Sequence, residues 1–172
     1  MKYLWIIGIV SVGMLGAGFL LDRAGRGFGP WAGLARLIGG ARDLGPVSFP
    51  TLVRRATPND ALVCPAGFCR AKADAEAPIF AILARDLRRR LEAVVHGEPR
   101  ITDLGPGGDF RARLVQRSLV LRFPDIIDAE IIEIDPAHST LALYSRSAIG
   151  ISDLGVNRAR ITRWLDALAH SS

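Results

Sequence analysis

The chain is poor in the residues that carry most enzyme chemistry. Its 172 residues include only two cysteines, Cys64 and Cys69, and three histidines, His96, His138 and His170. The histidines have no ligand-like spacing, so the thiols alone make at most half a metal site and no metal is expected. Also lacking are a Gly-x-Ser-x-Gly elbow, a His-Glu-x-x-His helix, a P-loop and a glycine-rich dinucleotide fingerprint after a strand. Their absence removes the commonest hydrolase, metalloprotease, NTPase and dehydrogenase signatures, and no cofactor and no catalytic residue is assigned. Carboxylate pairs do occur, Asp125 with Asp128 and Glu130 with Glu133. At three-residue spacing in or beside a strand the members of each pair point to opposite faces, which disfavours an acid/base dyad.

Charge of one sign predominates, with a net charge of +5 and a pI near 10.0. The candidate strands carry no aromatic stacking pattern, so nucleic acid is not the expected partner. Much of the positive charge is arginine next to an apolar run or on one helix, and the former suits anionic lipid headgroups.

What the chain has in excess is apolar character, with a mean hydropathy of +0.25. It concentrates in Tyr3 to Leu21, which holds no charge and has Trp5 near one end. As a helix this run would cover about 28 Å, close to the ~30 Å hydrocarbon core, and an uncleaved transmembrane anchor over 1–22 is expected. The competing reading is a cleaved signal peptide, for which Ala17-Gly18-Phe19 makes a poor cleavage site. No cysteine follows the run to carry a lipoprotein anchor. Arg23, Arg26, Arg36 and Arg42 after the run would by the positive-inside rule hold the remainder in the cytoplasm. Cys64 and Cys69 argue the reverse, since a close even pair in an envelope protein is most simply a disulfide. The expected location is the inner membrane, single-pass, with the C-terminal domain in the periplasm.

Residues 23–58 read as a linker or, through Trp31, Leu34, Leu37 and Ile38, as an interfacial segment, with Gly45 to Pro65 an extended arm. A single domain over 59–172 follows. Phe80, Leu83, Leu87, Leu91 and Val94 form one stripe of a helix over Pro78–Val95, ended by Gly97 and Pro99. Its Arg88-Arg89-Arg90 run reads as a solvated face or an anion-binding one. Strands are predicted over Arg111–Phe123, Ile126–Ile134 and Thr140–Arg146, with a weaker one near Arg100–Leu104. A last helix covers Val156–Ala169, its stripe being Ile161, Trp164, Leu165 and Leu168. The expected fold is α+β, an antiparallel sheet of three to four strands with both helices on one face.

Around the third strand and the last helix lie the polar residues Arg117, Arg122, Asp125, Asp128, Arg146, Ser147, Ser152, Asp153, Asn157, Arg158 and Arg160. Gly150 and Gly155 bracket the connection, and Ser152 or Asp153 can cap the helix. Two readings stand side by side. Arg117, Arg146, Ser147, Ser152, Asp153, Asn157 and Arg158 are expected to form an anion or partner site using the helix N-terminus, or the same charges tie the loop to the sheet as an internal arginine–aspartate network.

The segments LVQRSLVLRFPDIIDAEIIEI and LALYSRSAIGISDLGVNRARITRWLDAL, with the earlier PNDALVCPAGFC, resemble the bacterial form of domain-of-unknown-function family 1499, from about Asn59 to Leu168. The resemblance implies a small envelope-type protein with plastid relatives and no established activity. It draws attention to Arg117, Ser118, Phe123, Asp125, Ser145, Arg146, Ser147, Gly150, Asp153, Gly155, Asn157 and Arg158. The resulting expectation is a non-enzymatic binding or assembly module for an envelope protein or an anionic ligand. Its alternatives are a small hydrolase or transferase using Asp125 or Asp153 with Arg146, and a lipid-binding carrier.

Overall fold

The computed structural model describes residues 44–105, 107–120 and 122–170. The run Tyr3–Leu21, and with it the expected span, lies outside them. Among the described residues no helix is long and apolar enough to cross a membrane.

The described chain is an α+β domain with six strands and two helices. In chain order they are β1 (Asp60–Cys64), β2 (Ala75–Glu76), α1 (Ala84–His96), β3 (Ile101–Asp103), β4 (Arg111–Arg117), β5 (Pro124–Asp135), β6 (His138–Ser147) and α2 (Val156–His170). The strand order is β2-β1-β6-β5-β4-β3. Neighbours are antiparallel except β1 and β2, which are parallel. This corrects the expected antiparallel sheet of three to four strands to a mixed sheet of six.

The extra strands come from the segment beginning in the expected arm. β1, the run DALVC, shows no alternation because both its faces are covered: Ala61 and Val63 pack in the core beneath the helices, Leu62 and Cys64 in the cluster on the reverse face. A strand buried on both faces reads as a continuous apolar run and loses its period-two signature. Helix α1 also starts six residues later than Pro78. Phe80 instead exchanges two backbone hydrogen bonds with Ser139, so this stretch covers the edge of β6 beyond the end of β1.

Both helices lie on one face, where Leu87 and Leu91 of α1 and Ile161, Trp164 and Leu168 of α2 close over Leu114, Ile127, Ala129, Leu141 and Leu143. Residues 44–54 and 68–73 pack on the other face: Phe49 and Leu52 bury against Leu62, Ala142 and Tyr144, while Leu44 joins Val115, Ile126 and Ala148. Cys64 and Cys69 form a disulfide, with Cα atoms 6.2 Å apart. It fixes the turn that carries the chain from β1 over the reverse face.

Candidate functional site

The residues of the polar box divide between the two faces of the sheet because side chains alternate along β6. Ser145 and Ser147 face the helices, while Tyr144 and Arg146 face away from them. Toward the helices the central group is Arg160, 3% exposed. Its guanidinium donates to the Asp125 carboxylate at 2.7 Å, to the Ser145 hydroxyl at 2.7 Å, and to the Gln116 and Asn157 amide oxygens. Asn157, fully buried, donates to the Asn59 carbonyl and the Ser147 hydroxyl, each at 3.1 Å, and accepts from Ser145. The Ser147 hydroxyl donates to Asp125 at 2.6 Å. Each named polar group has a partner in this network, so desolvating these charges does not leave them unpaired.

Asp153 holds the start of α2 by accepting from the Asn157 N–H at 2.8 Å and the Gly155 N–H at 3.1 Å. The Ser152 hydroxyl accepts more loosely from the Leu154 N–H at 3.3 Å. The helix N-terminus thus takes its anion from Asp153 itself.

On the reverse face Arg146 donates to the Gly45 carbonyl at 2.7 Å and to Asp128 at 3.3 Å. Its guanidinium carbon lies 5.3 Å from the centre of the Tyr144 ring. Asp128 also pairs with Arg113 at 3.4 Å. Arg117 lies near the end of the sheet, bonding the Arg122 carbonyl while its own carbonyl accepts from Arg100.

Of the seven residues expected to share a site, Ser147, Asn157 and Asp153 come together, with Ser152 beside them. Arg146 and Arg117 lie elsewhere, and Arg158 points outward toward Asp74 at 3.4 Å. Asp125 and Asp153 do not meet Arg146, so the catalytic grouping considered from the sequence is not assembled. The residues that complete the network, Arg160, Gln116 and Asn59, carried a signal in part. Asn157 and Arg160 fall on the same helical stripe as Ile161, Trp164 and Leu168, which marks them as inward-facing.

A different constellation borders open space. Residues Leu52–Arg54 and Arg70–Asp74 line an open cleft of about 680 Å³ beside the disulfide. Arg54 forks between Asp60 at 2.6 Å and Asp74 at 3.0 Å, and also holds the Lys72 carbonyl at 3.0 Å. The hydrogen bond to Asp60 first, and then Asp74, hold the Arg54 guanidinium charged against the opposing effect of burial. Burial raises the Asp74 carboxyl, but the Leu62 N–H and Arg54 outweigh it and hold Asp74 below the usual carboxylate range. The Tyr144 hydroxyl donates to Asp60 at 2.6 Å, and burial followed by this carboxylate pushes its pKa well up. Arg70 and Lys72 are exposed at the cleft, and Arg158 reaches Asp74 from α2. Arg54, Arg70 and Lys72 thus line the cleft with one carboxylate, Asp74, which Arg158 also reaches, while Asp60 pairs with Arg54. Among the described residues no group of three or more histidine, cysteine or carboxylate side chains is arranged to hold a metal.

Neither the curated proteins nor the solved structures include a match to this chain. A family model does match residues 57–168, which take in β1 through almost all of α2 and the whole buried network. The chain belongs to the family described as protein of unknown function, DUF1499.

Proposed function

We propose that the protein is a single-pass inner-membrane protein whose C-terminal domain faces the periplasm and binds an anionic envelope component or the acidic surface of an envelope protein, without chemistry of its own. The observation that carries the reading is the cleft beside the disulfide. It is wide, open and positively biased, and its floor is held by the Arg54–Asp60–Asp74 pairs, so its charges are positioned before a ligand arrives. Anions are drawn to such a surface by the summed field of its cations, and the attraction weakens as salt is added. The Cys64–Cys69 bond supports a periplasmic setting, because disulfides persist in oxidising compartments. The run Tyr3–Leu21 supports the anchor.

The test is calorimetric titration of the full chain in nanodiscs with inorganic pyrophosphate at low salt. Replacing Arg70 and Lys72 together by alanine is expected to weaken binding about tenfold or more while leaving the melting temperature in place, since both side chains are exposed. Equal affinity in the two proteins removes the cleft as the binding surface.

A further inference from the structure

The end of the sheet from which the β4–β5 and β6–α2 connections leave is apolar on its outside. Arg117 pairs with Pro124 across the end of β4 and β5, and Asp125 pairs with Ser147 across β5 and β6. Beyond these pairs the chain runs through Ser118–Phe123 on one side and Ala148–Gly155 on the other. At their bases the two meet, the Ala148 N–H donating to the Pro124 carbonyl at 2.9 Å. Leu119 and Val120 on the first are 52% and 51% exposed; Ile151, Leu154 and Val156 on and after the second are 77%, 93% and 50% exposed. Scattered apolar residues on a surface need no explanation, but five at one end of a domain do.

Leu154 makes the point most sharply. Its φ is 53°, a left-handed conformation that a leucine side chain disfavours, and its side chain is almost wholly in solvent. Glycine or asparagine would suit that backbone better. Leucine there strains the fold and returns no buried contact within it, so its benefit lies outside the domain.

Two observations say what lies outside. The first is charge: Arg100 and Arg122 are exposed around the same end, with Arg117 half-buried beside them. The carboxylates there are already engaged, Asp125 by Arg160 and Asp153 by the backbone of α2. Apolar side chains ringed by arginine match a bilayer surface, where the former enter the acyl boundary and the latter meet anionic headgroups. The second is where the described chain begins. Leu44 packs against Val115, Ile126 and Ala148 at this same end, and the residues Asp22–Asp43 separate it in sequence from the uncharged run Tyr3–Leu21.

We infer that this end of the sheet docks on the membrane, with Leu119, Val120, Ile151, Leu154 and Val156 entering the headgroup region of an anionic bilayer and the surrounding arginines contacting phosphate groups. The inference rests on the membrane-anchored reading proposed above, and it places the sheet end, rather than the cleft, against lipid.

The experiment uses the full chain in nanodiscs of phosphatidylcholine and phosphatidylglycerol containing a spin-labelled lipid. A fluorophore is attached without reductant at Ser152→Cys, or at Ala137→Cys in the β5–β6 turn at the opposite end of the sheet. Co-migration of protein with discs reports the anchor, and quenching reports the tip. The expected result is quenching at position 152 about threefold or more above that at position 137, falling to the latter level when Ile151 and Leu154 are both replaced by glutamate. Both of those side chains are exposed, so the double variant keeps its core. Equal, low quenching at the two positions in discs that carry the protein overturns the docking inference and leaves the anchor standing. Failure of the chain to enter discs overturns the anchor reading and this inference with it. Disulfide-linked dimers of the unlabelled Ser152→Cys protein, with no lipid quenching in the labelled one, assign the surface to a second copy and likewise overturn it.

Discussion

Removing Arg160 would leave the Asp125 carboxylate buried with only the Ser147 hydroxyl beside it. A buried charge stripped of its partner is far more costly than the pair is favourable, on the order of 3–5 kcal/mol. Arg160→Met is therefore expected to lower unfolding free energy by about that amount in denaturant titration. Adding Asp125→Leu to it should recover part of the loss, because the orphaned charge is then gone. A loss under about 0.5 kcal/mol, the size typical of surface changes, would show that the network does not hold the domain together. Arg146 belongs to a separate account. It sits one residue from both Ser145 and Ser147, so strand alternation sends it to the reverse face, where it joins Asp128 and the Gly45 carbonyl. That parity was readable in SRSAIGISDLGVNR, but the box looks like one surface when residues are grouped by closeness in sequence.

At the scale of elements, Glu98 joins three of them. Lying just past α1, it accepts from Trp164 of α2 at 2.8 Å, from Gln116 of β4 at 2.8 Å and from Arg163 of α2 at 3.2 Å. Burial raises its carboxyl, but these donors outweigh that and hold it below the usual carboxylate range. A depressed pKa means the unfolded chain takes up this proton first on acidification. The stabilisation is present above the unfolded value, about 4.3, and is lost as pH falls through the folded one. The wild-type melting temperature should accordingly fall below about pH 4, and Glu98→Gln should flatten that acid limb while lowering stability at neutral pH. An unchanged acid limb in the variant would mean that other carboxylates set it. Elements were legible where one local rule decided them. β5, β6 and α2 follow apolar period or β-branched enrichment over ten or more residues, and all three occur within a few residues of their expected bounds. β1 escaped because burial on both faces erased its alternation, and β2 because two residues carry no pattern. α1 was extended too far upstream because Pro78 suits a first helical turn, whereas tertiary pairing of Phe80 with Ser139 draws that stretch to the edge of the sheet. Gln116 of β4 is polar yet buried, because it faces the helices, where its amide oxygen accepts from Arg160.

At the scale of the whole molecule, the domain uses most of its buried polar groups to hold itself together. The disulfide contributes shape more than stability. It closes a five-residue separation, so its chain-entropy effect should fall below the ~3 kcal/mol expected of a fifteen-residue loop. Its greater use is as a reporter of the proposed compartment. The proposed periplasmic face of a membrane-anchored domain can be tested with Cys64 and Cys69, the only thiol positions in the chain, as reporters. Intact cells with a permeabilised outer membrane would be treated with a membrane-impermeant maleimide, before and after an impermeant reductant. The account predicts no labelling at first and labelling at both positions once the reductant is added, without lysis. Labelling that needs lysis but no reductant would place free thiols in the cytoplasm and contradict it.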